Sequence, residues 1–395
     1  HWADDAVIEF LDHLMEWAAD APILLVATAR PELFTDRPTW GSGKRDAVTA
    51  TLAPLSSDEA ASLMVALTDR PAMPAERQST LLERSGGNPL YVTEYVRLAE
   101  EQGWFAGAEQ GEELPLPDSI QAIISARVDL LSSEDKTLLQ TAAVVGRIFW
   151  AGALSFADAG TPEEVREGLR RLARRELVRP VRRSSMAGQE EYAFNHILIR
   201  DVAYGRLTRE ERARLHEATA RWLEAVSGDR AADVAELLAH HLATAFELAP
   251  FEDPDRRRRI YRFLLMAAER AAAFDVSRSR DYAQKAELFA ANDTELGRAL
   301  LASVRFMWTA DEVVAATDAA IACFARAGDR EGEAEAVVQR SRFEWYRGDA
   351  ASVDAFDARA LALVDGLPPS GVVARVMVSV AGKRQLRGQE EEALD

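Results

Sequence analysis

Few residues in this chain have the type and spacing to do chemistry. Gly41-Ser42-Gly43-Lys44 comes nearest to a phosphate-binding loop, whose backbone N–H groups and lysine cradle phosphates. It fails, because Pro38 stands at the first glycine position and Arg45 follows the lysine where Ser or Thr is required. We read it as an exposed turn. Arg30 directly follows the apolar run Ile23–Thr28 and Ala29, which puts it at the carboxyl end of a predicted strand, where α/β sheets place ligands. Gly87-Asn88-Pro89 is a helix stop followed by a helix start, since Gly suits the C′ position and Pro suits N1. His196 lies in a predicted amphipathic helix with Leu198, Val202 and Tyr204. The six histidines give no metal pattern, because the adjacent His240 and His241 would face different directions on a helix. No Gly-x-Ser-x-Gly nucleophile elbow is present. The single Cys323 excludes a disulfide framework and a cysteine-based zinc cluster, and fits a reduced, cytoplasmic compartment.

Composition narrows the partners. The 395 residues carry a net charge of −18, which argues against a chain-wide surface for nucleic acid or anionic membranes. The longest apolar stretches, Ala21–Ala29 and Ile148–Ala157, are about half of the roughly 20 residues a membrane helix needs. Residues 147–221 are locally basic, with 15 arginines against 11 acidic residues. Arg170, Arg171, Arg174 and Arg175 share one predicted helix, and Arg182 and Arg183 fall in a turn. Glu163, Glu164, Glu167 and Glu176 interleave with them, so DNA binding is the weaker reading. The run Arg256–Arg259 reads as a solvated helix start.

The elements that must position these residues change character along the chain. Residues 1–55 read as the C-terminal part of an α/β nucleotide-binding domain. A helix over Ala6–Ala18 precedes a buried strand at Ile23–Thr28 and a second strand at Val48–Leu52. The absence of an initiator methionine and an apolar pattern that begins at once make the chain read as a piece of a longer protein. Residues 56–117 read as a helical lid, with helices from Ser57 to Leu67, over Pro74–Arg84, and from Pro89. Residues 118–228 read as a winged helix plus a following helix. Helices over Asp118–Leu131, Ser133–Val145 and Pro162–Glu176 lead to a hairpin of Leu177–Val181 and Glu191–Phe194 around the turn Arg183–Gln189.

Residues 229–395 read as tetratricopeptide-like repeats. Helix–turn–helix units centre on Phe274–Ser277, Trp308–Asp311, Arg347–Ala350 and Arg387–Glu390, at offsets of about 34–40 residues. Small residues should mark tight helix contacts, at Ala267, Ala268 and Ala271 and again at Ala315, Ala316, Ala319 and Ala320, with Phe289 and Phe324 as large knobs. The fold class expected is therefore mainly α: a partial α/β domain, a helical lid, a winged helix, then an α-solenoid.

Four segments occur in the order of one family: His1-Trp2-Ala3-Asp4, Thr28-Ala29-Arg30-Pro31-Glu32-Leu33, Gly87-Asn88-Pro89-Leu90 and Phe194–Tyr204. This order resembles the signal-transduction ATPases with numerous domains (STAND), an AAA+-related class, over essentially the whole chain. Arg37-Pro38-Thr39-Trp40-Gly41 looks most like the ATPase modules attached to bacterial class III adenylate/guanylate cyclases. The resemblance implies ATP or ADP with Mg in the complete protein. It implies that Arg30 senses the terminal phosphate, that the Gly87-Asn88-Pro89 element packs its proline on adenine, and that His196 touches the β-phosphate. Asn195 and Ile197 depart from that family's Met-His-Asp pattern. The Walker A and Walker B parts are missing, so no catalytic residue is assigned and the chain alone should hold nucleotide poorly. The resemblance further implies a protein or small-molecule inducer on the repeats, self-association through the ATPase core, and an effector such as a nucleotide cyclase. Two other classes remain open: a transcription regulator whose DNA-binding module lies outside this chain, and a non-catalytic tetratricopeptide scaffold.

Overall fold

The structure is a computed structural model, and it describes residues 5–18, 21–30, 32–41, 47–68, 83, 85–102, 119–304 and 311–387. It divides into two units, His1–Ile123 and Ile124–Asp395, each taken by itself below.

In the first unit the helices are α1 (Asp5–Trp17), the short α2 (Glu32–Asp36), α3 (Ser57–Leu67) and α4 (Pro89–Glu101). Ser56 and Glu59 make a reciprocal capping box that starts α3 where Ser57-Asp58-Glu59 predicts it. Asn88 caps α4 by accepting from the Leu90 and Tyr91 N–H groups, and Pro89 occupies the first helical position. Tyr91, Val92, Tyr95 and Val96 of α4 are buried, as are Ala60 and Met64 of α3, and the two helices pack together. The two expected strands do not form. Ile23–Thr28 and Val48–Leu52 take no regular secondary structure and pair with nothing as strands among the described residues, with Leu24 87% and Val48 92% exposed. An apolar run becomes a strand only when neighbours complete its hydrogen-bond ladder and helices cover it, and a local pattern cannot supply either. The expected helix over Pro74–Arg84 and the segment Gly103–Pro117 lie almost wholly outside the described residues, as do Trp308–Ala310 and Gly388–Glu390.

The second unit opens with α5 (Ile120–Asp129), whose start precedes the division, and α6 (Ser133–Val145). Then come β1 (Ile148–Trp150), α7 (Ala151–Phe156), α8 (Pro162–Arg174), β2 (Val178–Pro180) and β3 (Glu191–Phe194). The antiparallel sheet has the order β1-β3-β2, with Phe149 opposite Tyr192 and Arg179 opposite Ala193. Pro180 is tolerated because β2 is an edge strand. The expected hairpin is present; β1 and α7 were not expected. Three strand residues are too few to show a period, and they sit inside the uniformly apolar stretch Ile148–Ala157. Phe149 and Phe194, with ring centroids 5.3 Å apart, share a core with Leu139, Ala142, Leu169 and Leu172.

The following helix is α9 (Ile197–Gly205), nine residues rather than a long helix, and His196 is its N-cap rather than a member. After it come α10 (Arg209–Ser227), a 3₁₀ turn over Gly228–Val234, and α11 (Ala235–Leu248). The repeat array continues as α12 (Pro254–Ala271), α13 (Val276–Glu287), α14 (Asp293–Val304), α15 (Asp311–Ala327), α16 (Arg330–Arg347), α17 (Ala350–Val364) and α18 (Gly371–Leu386). Each helix packs mainly on its chain neighbours, which makes this region an α-solenoid of tetratricopeptide-like helix pairs. Stacking begins before Asp229, because α10 already packs along α11.

The expected small and large contacts are largely in place. Ala267, Ala268, Ala271 and Ala320 are buried, as are Phe289 and Phe324. Ala316 is only half-buried, while Ala315 and Ala319 face solvent, so the close stripe of α15 runs through Ala320. The basic run is not simply solvated. Arg259 bridges Glu217 (2.7 Å) and Glu224 (2.5 Å) of α10, and Arg256 reaches Glu217, so α12 is clamped to the preceding pair.

Candidate functional site

The expected site residues fall in both units. In the first, Gly86 and Gly87 adopt left-handed backbone, with φ of +55° and +72°. At Gly87 the requirement is double. A Cβ there would lie 2.4 Å from the Leu55 carbonyl oxygen, and the Leu55 N–H donates to the Gly87 carbonyl at 2.9 Å. The turn thus holds the Pro54–Leu55 segment against the start of α4, with Gly87 buried and Pro89 exposed beside it. Arg30 is exposed at the end of the irregular segment Ala21–Arg30, not at the end of a paired strand. Its carbonyl accepts from the Leu33 N–H at 3.1 Å, which turns the chain into α2.

His196 belongs to the second unit, at the junction of β3 with α9. Its Nδ1 accepts from the Leu198 N–H at 3.2 Å, which assigns the proton of the neutral ring to Nε2. The ring is half-buried; its Nδ1 takes the Leu198 N–H and its carbonyl the Ile199 N–H, which leaves the Ile197 N–H and the ring Nε2–H as the donors at this helix start. An oxyanion such as a phosphate is what such a helix start accepts. The junction is firmly held. Asn195 Nδ2 donates to the Glu176 carbonyl at 2.5 Å, and its backbone N–H donates to Leu177. Arg200 Nε donates to the Ala143 carbonyl of α6, while Arg206 pairs with Asp129 and donates to Ser125 of α5. Gly87 and Pro89 therefore share one turn, while His196 sits in the other unit on a well-braced helix start.

Glu191 is a further buried polar centre that sequence reasoning did not single out. Its Oε2 accepts from Trp150 Nε1 (3.0 Å), the Ser185 N–H and Oγ (2.6 Å each) and Ser184 Oγ (3.2 Å). Burial pushes this carboxyl up, but the hydrogen bonds from Ser185, Ser184 and Trp150 outweigh it and hold the pKa below 4.5. One acid thereby fixes β1, β3 and the connecting turn.

The arginines of α8 are partly engaged. Arg171 is bidentate on Asp135 at 2.7–3.2 Å, and Arg166 pairs with Glu190. Arg170, Arg174, Arg182 and Arg183 remain exposed. The adjacent His240 and His241 nevertheless belong to one histidine group, with their rings 5.2 Å apart and both against His216. That convergence had no local signal, because His216 is a full helix and turn away in sequence. Among the described residues, no helix is long and apolar enough to cross a membrane.

No family model matches this chain, and no curated protein matches it. Among solved structures it is similar to a signal-transduction ATPase with numerous domains, carrying a tetratricopeptide repeat sensor, from Pyrococcus horikoshii. The two share 13% identity at a TM-score of 0.31, over 86% of this chain and 58% of that one. The chain thus spans a little over half the length of that protein.

Proposed function

We propose that this chain is the lid and sensor portion of a regulatory, STAND-type ATPase of the cytoplasm. In this reading, residues 118–228 are a winged helix, ATP or ADP with Mg is read by Arg30, Gly87, Pro89 and His196, and the repeat array receives a protein or small-molecule inducer. The output is an effector domain, a nucleotide cyclase by the Arg37–Gly41 resemblance. The observation that carries the reading is the bracing of the His196 junction. The helix start that suits a phosphate is tied sideways to α5 and α6 and leads, three residues past the Arg206 clamp, into α10, the first helix of the stack. A ligand gained or lost at His196 therefore acts on a rigid element continuous with the sensor.

The test is made in a protein that carries this chain together with a phosphate-binding loop. His196→Ala is expected to release ADP roughly 5–150-fold faster, the range of an ordinary coupling energy, and to raise output without inducer. Unchanged release and unchanged basal output would leave His196 as a helix cap only.

A further inference from the structure

Three of the chain's six histidines meet where α9, α10 and α11 converge on the end of α6. His216 comes from α10, and His240 and His241 come from α11. The ring centroids are 5.0 Å apart for His216–His241, 5.9 Å for His216–His240 and 5.2 Å for His240–His241. Neighbours on a helix point about 100° apart, and the His216 ring fills the angle between them. One nitrogen from each ring lies within 4.8 Å of the other two. His216 and His241 are buried, and His240 is exposed.

The two buried rings are held from behind. The Tyr204 hydroxyl is 3.1 Å from His216 Nε2, and the His241 ring lies beside the Val145 backbone. Their Nδ1 atoms then face each other at 2.8 Å. That hydrogen bond places one proton between the two Nδ1 atoms, which a metal ion would displace; His216 Nε2–H would then donate to the Tyr204 hydroxyl, an outer partner of the kind found around metal-bound histidines.

We propose that His216, His240 and His241 bind one divalent transition-metal ion of the zinc class, with a water completing the fourth position on the exposed His240 side. Three imidazoles and no carboxylate suit Zn²⁺ and its first-row neighbours rather than Mg²⁺ or Ca²⁺, which require oxygen ligands. Metal–nitrogen bonds of about 2.0–2.1 Å at tetrahedral angles set ligand atoms roughly 3.3–3.4 Å apart, so the 2.8 Å His216–His241 pair must open slightly while His240 moves in. Rotation of the exposed His240 supplies the closure. Ligation also needs neutral imidazoles, which burial favours at His216 and His241, and the guanidiniums of Arg200 and Arg212 stand nearby. The same guanidiniums oppose a dication, but each is engaged elsewhere. Arg200 bonds the Ala143 carbonyl and Asp201, Arg212 bonds the Tyr204 and Gly205 carbonyls, and both lie over the Tyr204 ring. A bound ion would tie α10 to α11 beside Tyr204 of the His196-capped helix.

The experiment titrates the untagged chain with Co²⁺ and with Zn²⁺ against a competing chromogenic chelator, and records melting temperature with each metal. One equivalent is expected to bind, with the visible absorption of tetrahedral cobalt and a raised melting temperature. His240→Ala, at an exposed position that leaves the fold intact by circular dichroism, should abolish the cobalt spectrum and the melting shift. Tyr204→Phe, which keeps the ring between the two arginines, should weaken binding by about 10–100-fold, as loss of an outer partner does. Absence of saturable binding, or a His240→Ala protein that titrates like the parent, overturns the site and leaves a neutral hydrogen-bonded histidine network.

Discussion

At the residue scale, the sites that matter are those where one side chain answers several backbone or polar groups at once. Glu191 is such a residue, and its energetics have a definite pH signature. Its folded pKa lies below 4.5 because, despite burial, Ser185, Ser184 and Trp150 donate to the charged form. Between the folded and unfolded values the unfolded chain binds more protons, so stability rises with pH there. The contribution is complete above about pH 4.5 and is lost as pH falls through the folded value. Denaturant titrations of the parent and of Glu191→Gln at a series of pH values should therefore give stabilities that differ most near neutrality and converge on acidification. Parallel curves would mean that Glu191 does not hold the sheet in its charged form. Gly87 was legible in the sequence because a Gly-Asn-Pro stop and start is local chemistry. Glu191 and His216 were not, since their partners stand across strands and helices that no local spacing reports.

At the element scale, the helices that open with their own caps were the legible ones. Ser56 with Glu59, Thr161 with Glu164, and Ser132 ahead of Asp135 mark starts that the residue types alone announce. The apolar runs Ile23–Thr28 and Val48–Leu52 carry no such self-sufficient signal, and they stay unpaired. Packing between elements was half legible. Phe324 was expected as a knob, but not that its hole is made of glycines. A Cβ on Gly297 would come within 2.8 Å of the Phe324 ring, and one on Gly332 within 2.4 Å. Because Phe324 is fully buried, the ring has no free space to enter. Gly332→Ala should therefore overpack the α14–α15–α16 contact and cost about 1–3 kcal/mol. The same change made in a Phe324→Leu background should cost less, with a coupling of about 0.5–3 kcal/mol in a double-mutant cycle on denaturant midpoints. Additive costs would place the Phe324 ring elsewhere.

At the scale of the whole molecule, the repeat period stood plainly in the sequence, because stacking repeats must present the same small and large residues at each turn. How the stack is fastened did not. The clamps are pairs such as Arg259 with Glu217 and Glu224, and the buried Lys383–Asp357–Ser341 network that ties α18 to α16 and α17. In an array where each helix leans on its neighbours, a local loss of packing should stay local and fade with distance along the stack. Phe324→Ala tests this, since removing a buried phenylalanine costs about 3–5 kcal/mol where it packs. Hydrogen exchange is expected to accelerate in α14, α15 and α16, by roughly 200- to 5,000-fold where exchange proceeds through local opening. Amides of the β1–β3–β2 sheet should keep their protection, because Glu191 and the Phe149–Phe194 core hold that part independently of the array. Equal acceleration of the sheet and the distal helices would show that residues 124–387 open as one cooperative body, and a signal received on the repeats would then reach His196 through global rather than neighbour-to-neighbour change.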